Sequence, residues 1–286
     1  MTAIWTIAGY GLREALRRKV FVVVCLLTLA FLALYWLGAR YAFHHIQGVQ
    51  PPEGVNARTF AGAFLFGMAM FGTLFLGVVL AVFLTLGTVR GDAERALLQP
   101  LVVRPIGRSS LLVARFLGAA AVCAPYVLIL YFAAMVLTGL EGSWWPDRIV
   151  MPGLELAGGV LIVAGLSLLG SVFLSSIANG IAIFMLFGAG LVAGLLGNIG
   201  HVLNSPGLIH AAKIAAWAIP FEALYQDALR AITEKTSGLT GFLLRLGPFG
   251  GAEQGGIGLR LWAVAYLVLV GLVAIAGFAR RDLKRA

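Results

Sequence analysis

Phe60-Ala-Gly-Ala-Phe-Leu-Phe-Gly-Met-Ala-Met-Phe-Gly-Thr-Leu-Phe-Leu-Gly-Val-Val-Leu-Ala-Val-Phe-Leu-Thr-Leu86 runs without one charged residue. An apolar run of roughly 18 residues or more is long enough to cross a bilayer as a helix. Five further runs of this kind lie at about 20–38, 109–138, 154–174, 180–199 and 258–279. Hydrophobic residues make up 60% of the chain and charged residues 12%, about half the charged share of an ordinary soluble domain. The spacing therefore predicts an all-α polytopic membrane protein with six transmembrane helices. No stretch of soluble composition is attached, so residues 1–286 read as one membrane domain.

The run 60–86 is followed by a different kind of sequence. Thr88 to Ser110 reads Thr-Val-Arg-Gly-Asp-Ala-Glu-Arg-Ala-Leu-Leu-Gln-Pro-Leu-Val-Val-Arg-Pro-Ile-Gly-Arg-Ser-Ser. Asp92, Glu94 and Arg95 open this charged island, and Arg104, Pro105 and Arg108 close it. Between them Leu97, Leu98, Leu101 and Val102 recur at helical spacing, the pattern of a short amphipathic helix with one apolar face. Pro105 fixes its own φ and disfavours helix at Arg104, so the helix is expected to stop there. A polar helix slung between two spans is where a membrane protein can take a push from a soluble partner.

The charge distribution sets the orientation. The net charge of +9 invites a nucleic-acid reading, but the charges are divided by side. With the N-terminus in the cytoplasm, 13 of the 21 basic residues fall inside, against 4 of the 12 acidic ones, leaving 8 of each outside. All of the excess then sits on one face, as the positive-inside rule expects. Arg13, Arg17, Arg18 and Lys19, with Arg280, Arg281, Lys284 and Arg285, anchor the two cytoplasmic termini to anionic headgroups. No nucleic-acid partner is expected. The first span is too long, and ends with too few small residues, for a cleaved signal peptide.

The connecting segments carry their own patterns. In 1–19, Trp5, Ala8, Leu12 and Leu16 share one helical face, which predicts an interfacial elbow helix lying on the membrane. Gly62, Gly67, Gly72 and Gly77 recur every five residues in the second span, a spacing that turns them to different sides; each is a seat for close contact or simple filler. Pro125 predicts a kink in the third span. Glu141 to Arg148 is an outer loop with Trp144 and Trp145 at interface depth, and Ser175 to Gly180 an uncharged inner turn. The segment 200–257 is extracytoplasmic. Leu208 to Ile219 is too short to span and reads as a re-entrant or surface-lying half-helix. After Pro220, an amphipathic helix places Phe221, Leu224, Tyr225, Leu229 and Ile232 on one face, and residues 247–258 form a Gly-rich loop.

Little chemistry is visible. Gly-x-x-x-x-Gly-Lys-Ser/Thr, His-Glu-x-x-His and Gly-x-Ser-x-Gly are all absent. His44, His45, His201 and His210 have no further ligand at suitable spacing, so no metal site is expected. Cys25 and Cys123 lie within spans and suggest no disulfide. Ser167, Ser171 and Asn179 are expected to bond between helices. The span cores are nearly free of ionisable residues, with Glu155 and Arg260 at span ends, which weakens a proton-coupled carrier. The chain is read as a non-enzyme with no cofactor of its own: a path without an engine.

The topology and the island together resemble the permease subunits of type-2 ABC exporters, in particular the subgroup that includes the permease for nitrous-oxide-reductase maturation. Asp92 and Glu94 correspond to that family's acidic pair, Pro105 and Arg108 to its Pro-x-x-Arg, and Arg115 to a later basic position. Ala96-Leu97 replaces the usual Gly-Thr, and Pro100 interrupts the leucine run. The resemblance implies that 88–110 is a coupling helix seated in a groove of a separate ABC ATPase. Its contacts would be Asp92, Glu94, Arg95, Leu97, Leu98, Leu101, Arg104, Pro105 and Arg108. It also implies two ATPases, which bind the ATP, and two permeases, as a homo- or heterodimer, in a bacterial cytoplasmic membrane. The substrate is unspecified, with a weak tilt to a hydrophobic or amphipathic one, and 200–257 either gates the outer side or docks an extracytoplasmic partner. The alternative is an ATP-independent secondary carrier or a non-transporting membrane scaffold.

Overall fold

The computed structural model describes residues 19–46, 54–86, 108–246 and 255–280. Among them the chain is helical throughout: α1 Lys19–Ile46, α2 Ala57–Thr85, α3 Arg108–Gly142, α4 Met151–Phe173, α5 Ser176–Val202, α6 Pro206–Ala218, α7 Pro220–Ala231, α8 Gly238–Leu246 and α9 Gly256–Arg280. Six of these, α1 to α5 and α9, are long and apolar enough to cross a membrane. A helix satisfies its own backbone hydrogen bonds, and hydrocarbon offers no others. The chain is a multi-pass membrane protein, and each of the six expected spans is present.

The bundle has a centre and a rim. Within their most apolar windows 67% of residues are buried in α2 and in α4, but only 11% in α1. α2, α3 and α4 pack on one another as the core, with Phe66, Met70, Leu74, Tyr131 and Leu156 almost fully buried there. The rings of Phe66 and Tyr131 lie 5.3 Å apart. α1, α5 and α9 leave leucines, valines and isoleucines such as Leu34, Ile181 and Val264 exposed, as a lipid-facing surface requires.

Three glycines of the five-residue series in α2, Gly62, Gly72 and Gly77, are contact seats. A β-carbon on Gly62 would come within 2.6 Å of the Trp144 indole, one on Gly72 within 2.5 Å of the Phe31 ring, and one on Gly77 within 2.7 Å of Val127 and 2.8 Å of Val160. The two tryptophans of the outer loop differ in consequence: Trp144 is buried over Gly62, whereas Trp145 is half exposed. α3 continues as helix through Pro125. The inner turn is shorter than the expected Ser175–Gly180, since only Leu174 and Ser175 separate α4 from α5. Ser167 and Asn179 bond between spans, as expected; Ser171 Oγ donates to the Leu168 carbonyl of its own helix at 2.7 Å. Thr85 Oγ1 meets Ser167 Oγ at 2.7 Å, and Asn179 Nδ2 donates to the Ser167 carbonyl at 2.9 Å.

Candidate functional site

The expected coupling residues Asp92, Glu94, Arg95, Leu97, Leu98, Leu101, Arg104 and Pro105 lie outside the described residues, as does the elbow helix apart from Lys19. Arg108, Ser109 and Ser110 belong to the first turn of α3. The buried carboxylates among the described residues, Glu155, Glu222 and Asp227, lie instead where α7 enters the bundle.

Pro220 stands at the first position of α7, suited to a residue without an N–H. Glu222 occupies its first turn and Arg230 its last, the latter favourable to the helix dipole. Its apolar face is the expected one, with Phe221, Leu224, Tyr225, Leu229 and Ile232 all buried. The opposite face is not solvated. Glu222, Gln226 and Asp227 are buried too, because α7 is packed against α4 and flanked by α5, α6 and α9. The α5 face that receives it is built of glycines. A β-carbon at Gly190 would lie 2.6 Å from the Phe221 ring, and one at Gly194 only 1.9 Å from Glu222 Oε1. Phe221 also stacks on Phe187, with centroids 5.3 Å apart.

Two polar clusters result. In the first, Arg260 of α9 donates from Nε to Glu155 Oε1 of α4 at 2.8 Å and from Nη2 to Asp227 Oδ2 of α7 at 3.3 Å. The other Asp227 oxygen accepts from the Gly255 amide at 3.0 Å. The two groups that sequence placed at separate span ends therefore meet, and Asp227 completes a three-helix tie. Glu155 Oε2 and the nearby Tyr131 hydroxyl have no hydrogen-bond partner.

In the second cluster Gln226 Nε2 donates to Glu222 Oε1 at 2.7 Å. Glu222 Oε2 and Gln226 Oε1 have no partner. Burial raises the Glu222 carboxyl to about 8, against the opposing effect of the Gln226 bond. Burial and then the adjacent Glu222 push up the Tyr225 hydroxyl. Both Glu222 and Gln226 line a cavity of about 280 Å³ between α5, α6, α7 and the start of α9, walled otherwise by Ile209, Lys213, Trp217, Leu259 and small residues. α6 forms the outer wall and has no buried residue of its own. It is a short helix lying along the bundle, in keeping with the expected half-helix.

The α3–α4 connection and the turn after α7 hold this arrangement from one side. Lys235 N donates to Asp147 Oδ2 at 2.7 Å, and Arg148 Nη2 to Glu234 Oε1 at 2.9 Å, with a second bond from Arg148 Nε. That bond holds the Glu234 carboxyl below its ordinary range.

Glu222, Gln226 and Asp227 escaped the sequence reading because an amphipathic helix with three polar residues on one side fits a wet surface equally well. The signal was in α5: Gly190, Gly194 and Gly197 follow at helical spacing and mark a face made for close approach. No family model matches the chain, and no curated protein matches it.

Proposed function

We propose that this chain is the transmembrane subunit of an ATP-driven exporter of the type-2 ABC class, residing in a bacterial cytoplasmic membrane with both termini inside. The observation that carries the reading is the position of the charged stretch 88–110. It leads from α2 into α3, two helices that pack along each other in the core, so a push on it reaches the centre of the bundle. The chain has no phosphate-binding loop, and energy for such a push comes from a separate ATPase. Asp92, Glu94, Arg95, Arg104 and Arg108 give that partner charge complementarity, and Leu97, Leu98 and Leu101 an apolar anchor beside Pro105. Two permeases and two ATPases make the working unit, and closure of the ATPases drives alternating access.

A second reading is favoured by the buried carboxylates. Glu155, Glu222 and Asp227 are the groups that a proton-coupled carrier needs; span α4 carries the first and α7 brings the other two into the bundle. One experiment separates the two. The detergent-solubilised protein is purified alongside an ATPase encoded next to it, as wild type and as the double reversal Glu94→Arg/Arg108→Glu. The exporter reading expects wild type to retain the ATPase and the variant to lose it or its stimulated hydrolysis. Absence of an ATPase from wild type, or no effect of the reversal, hands the case to the carrier.

A further inference from the structure

We infer that the cavity between α5, α6, α7 and the start of α9 binds a primary ammonium carrying a small apolar body, and that the ligand enters in exchange for a proton on Glu222. Binding at the cavity does not depend on what drives the protein; only its role as cargo rests on the exporter reading.

The donor set selects the ligand. Glu222 Oε2 and Gln226 Oε1 are buried oxygens without a hydrogen-bond partner, on side chains that line the cavity. Once Glu222 gives up its proton both are buried acceptors, a costly state that a ligand bringing N–H groups relieves. Two oxygens are too few for a bare metal cation, which takes roughly six or more. An ammonium needs only two or three, and the rest of the ligand then faces Ile209, Trp217 and Leu259. A void of about 150 Å³ holds benzene, so about 280 Å³ accommodates a ring with an aminomethyl group.

The charge balance follows from burial. The empty site favours the neutral acid, because a carboxylate there would have no counter-charge. Gln226 and Tyr225 flank Glu222 on its own helix, and neither is cationic. α5 offers glycines and Ala193 at this point, and the one ionisable residue of α4, Glu155, is bound to Arg260. From α9 come Leu259 and glycines, since Arg260 is turned to Glu155 and Asp227. Lys213 of α6 lines the cavity with its side chain exposed at the rim. An entering ammonium therefore replaces the proton: the Glu222 acid and the ammonium give a carboxylate–ammonium pair, and one proton passes to water.

The test is calorimetric titration of the purified full chain in phosphatidylcholine nanodiscs with benzylammonium, beside benzyl alcohol as its neutral counterpart. Binding is expected to tighten about tenfold per pH unit from 6 to 7.5, with one proton released per ligand. Glu222→Gln, with unchanged thermal stability at pH 6, is expected to weaken benzylammonium at least tenfold at pH 8 and to abolish the pH dependence. Lys213→Gln is expected to bind as well as wild type or better. The same headgroup chemistry occurs in aminophospholipids, so the titration is repeated with phosphatidylethanolamine in the nanodisc. Competition there makes the lipid headgroup the occupant and overturns the apolar-body part of the inference; its absence supports a soluble amine. Equal binding of amine and alcohol, binding indifferent to Glu222→Gln, or no binding at all would overturn it.

Discussion

Arg260 reaches Glu155 across 105 residues of chain, and both its Nε, at 2.8 Å, and its Nη2, at 2.7 Å, converge on the same oxygen, Oε1. Asp227 receives a third bond at 3.3 Å. One partly buried cation thus serves two buried carboxylates from different helices. Truncating the shared member of such a set leaves charge without compensation.

Arg260→Met is accordingly expected to destabilise the protein by about 3 kcal/mol or more, a fall in detergent Tm on the order of 10 °C. Adding Glu155→Gln and Asp227→Asn to that variant should recover most of the loss, because the carboxylates no longer ionise. A single variant with wild-type Tm would show that the tie carries no weight.

Glu222 predicts a pH dependence of stability. Its carboxyl is raised from an ordinary 4.5 to about 8 in the folded protein, so the folded state binds the proton more tightly than the unfolded one. The contribution is complete below about 4.5 and is lost as pH rises through about 8. The Tm of wild type should therefore fall between pH 5.5 and 8 by more than that of Glu222→Gln, which carries no titrating group. Parallel curves would assign the fall to other residues.

The glycine face of α5 predicts a contrast within one helix. Gly194→Ala forces a methyl against the Glu222 carboxyl and is expected to cost about 1–3 kcal/mol. Gly188, with nothing within 4 Å of its added β-carbon, should accept alanine at no cost or with a small gain. The two variants, compared by thermal unfolding in the same detergent, check the packing of α7 without touching α7.

Orientation is open to labelling. In a background of Cys25→Ala and Cys123→Ala, Ser109→Cys at the start of α3 should react with an impermeant maleimide only after the membrane is opened. Ser237→Cys, exposed between α7 and α8, should react in intact cells. The reverse result would invert the topology expected from the basic residues.

The six spans were legible because hydrophobic length is a direct physical requirement of the bilayer, and each was placed within a few residues except where the helix extends past its apolar run, as α1 does to Ile46. The tie between Glu155 and Arg260 was not legible. Each sits at a span end where a snorkelling, solvated charge is the ordinary outcome, and only the insertion of α7 brings Asp227 to them. The polar face of α7 failed for the same reason: periodicity reports two faces but not what covers them. The serine and asparagine bonds were readable, since a polar group among spans has little else to meet. The charged stretch between α2 and α3, on which the functional reading turns, falls outside the described residues.

Ile219 is at once the last cap of α6 and the first of α7, so one residue, at φ −134° and ψ 74°, is all that separates a helix with no buried residue from one that is almost wholly buried. Beyond that joint α6 is packed on α5 and bound to α9 by the bond from Trp262 Nε1 to the Trp217 carbonyl at 3.0 Å. One side of the cavity is therefore a 13-residue helix on the outside of the bundle, and not one of the six long helices.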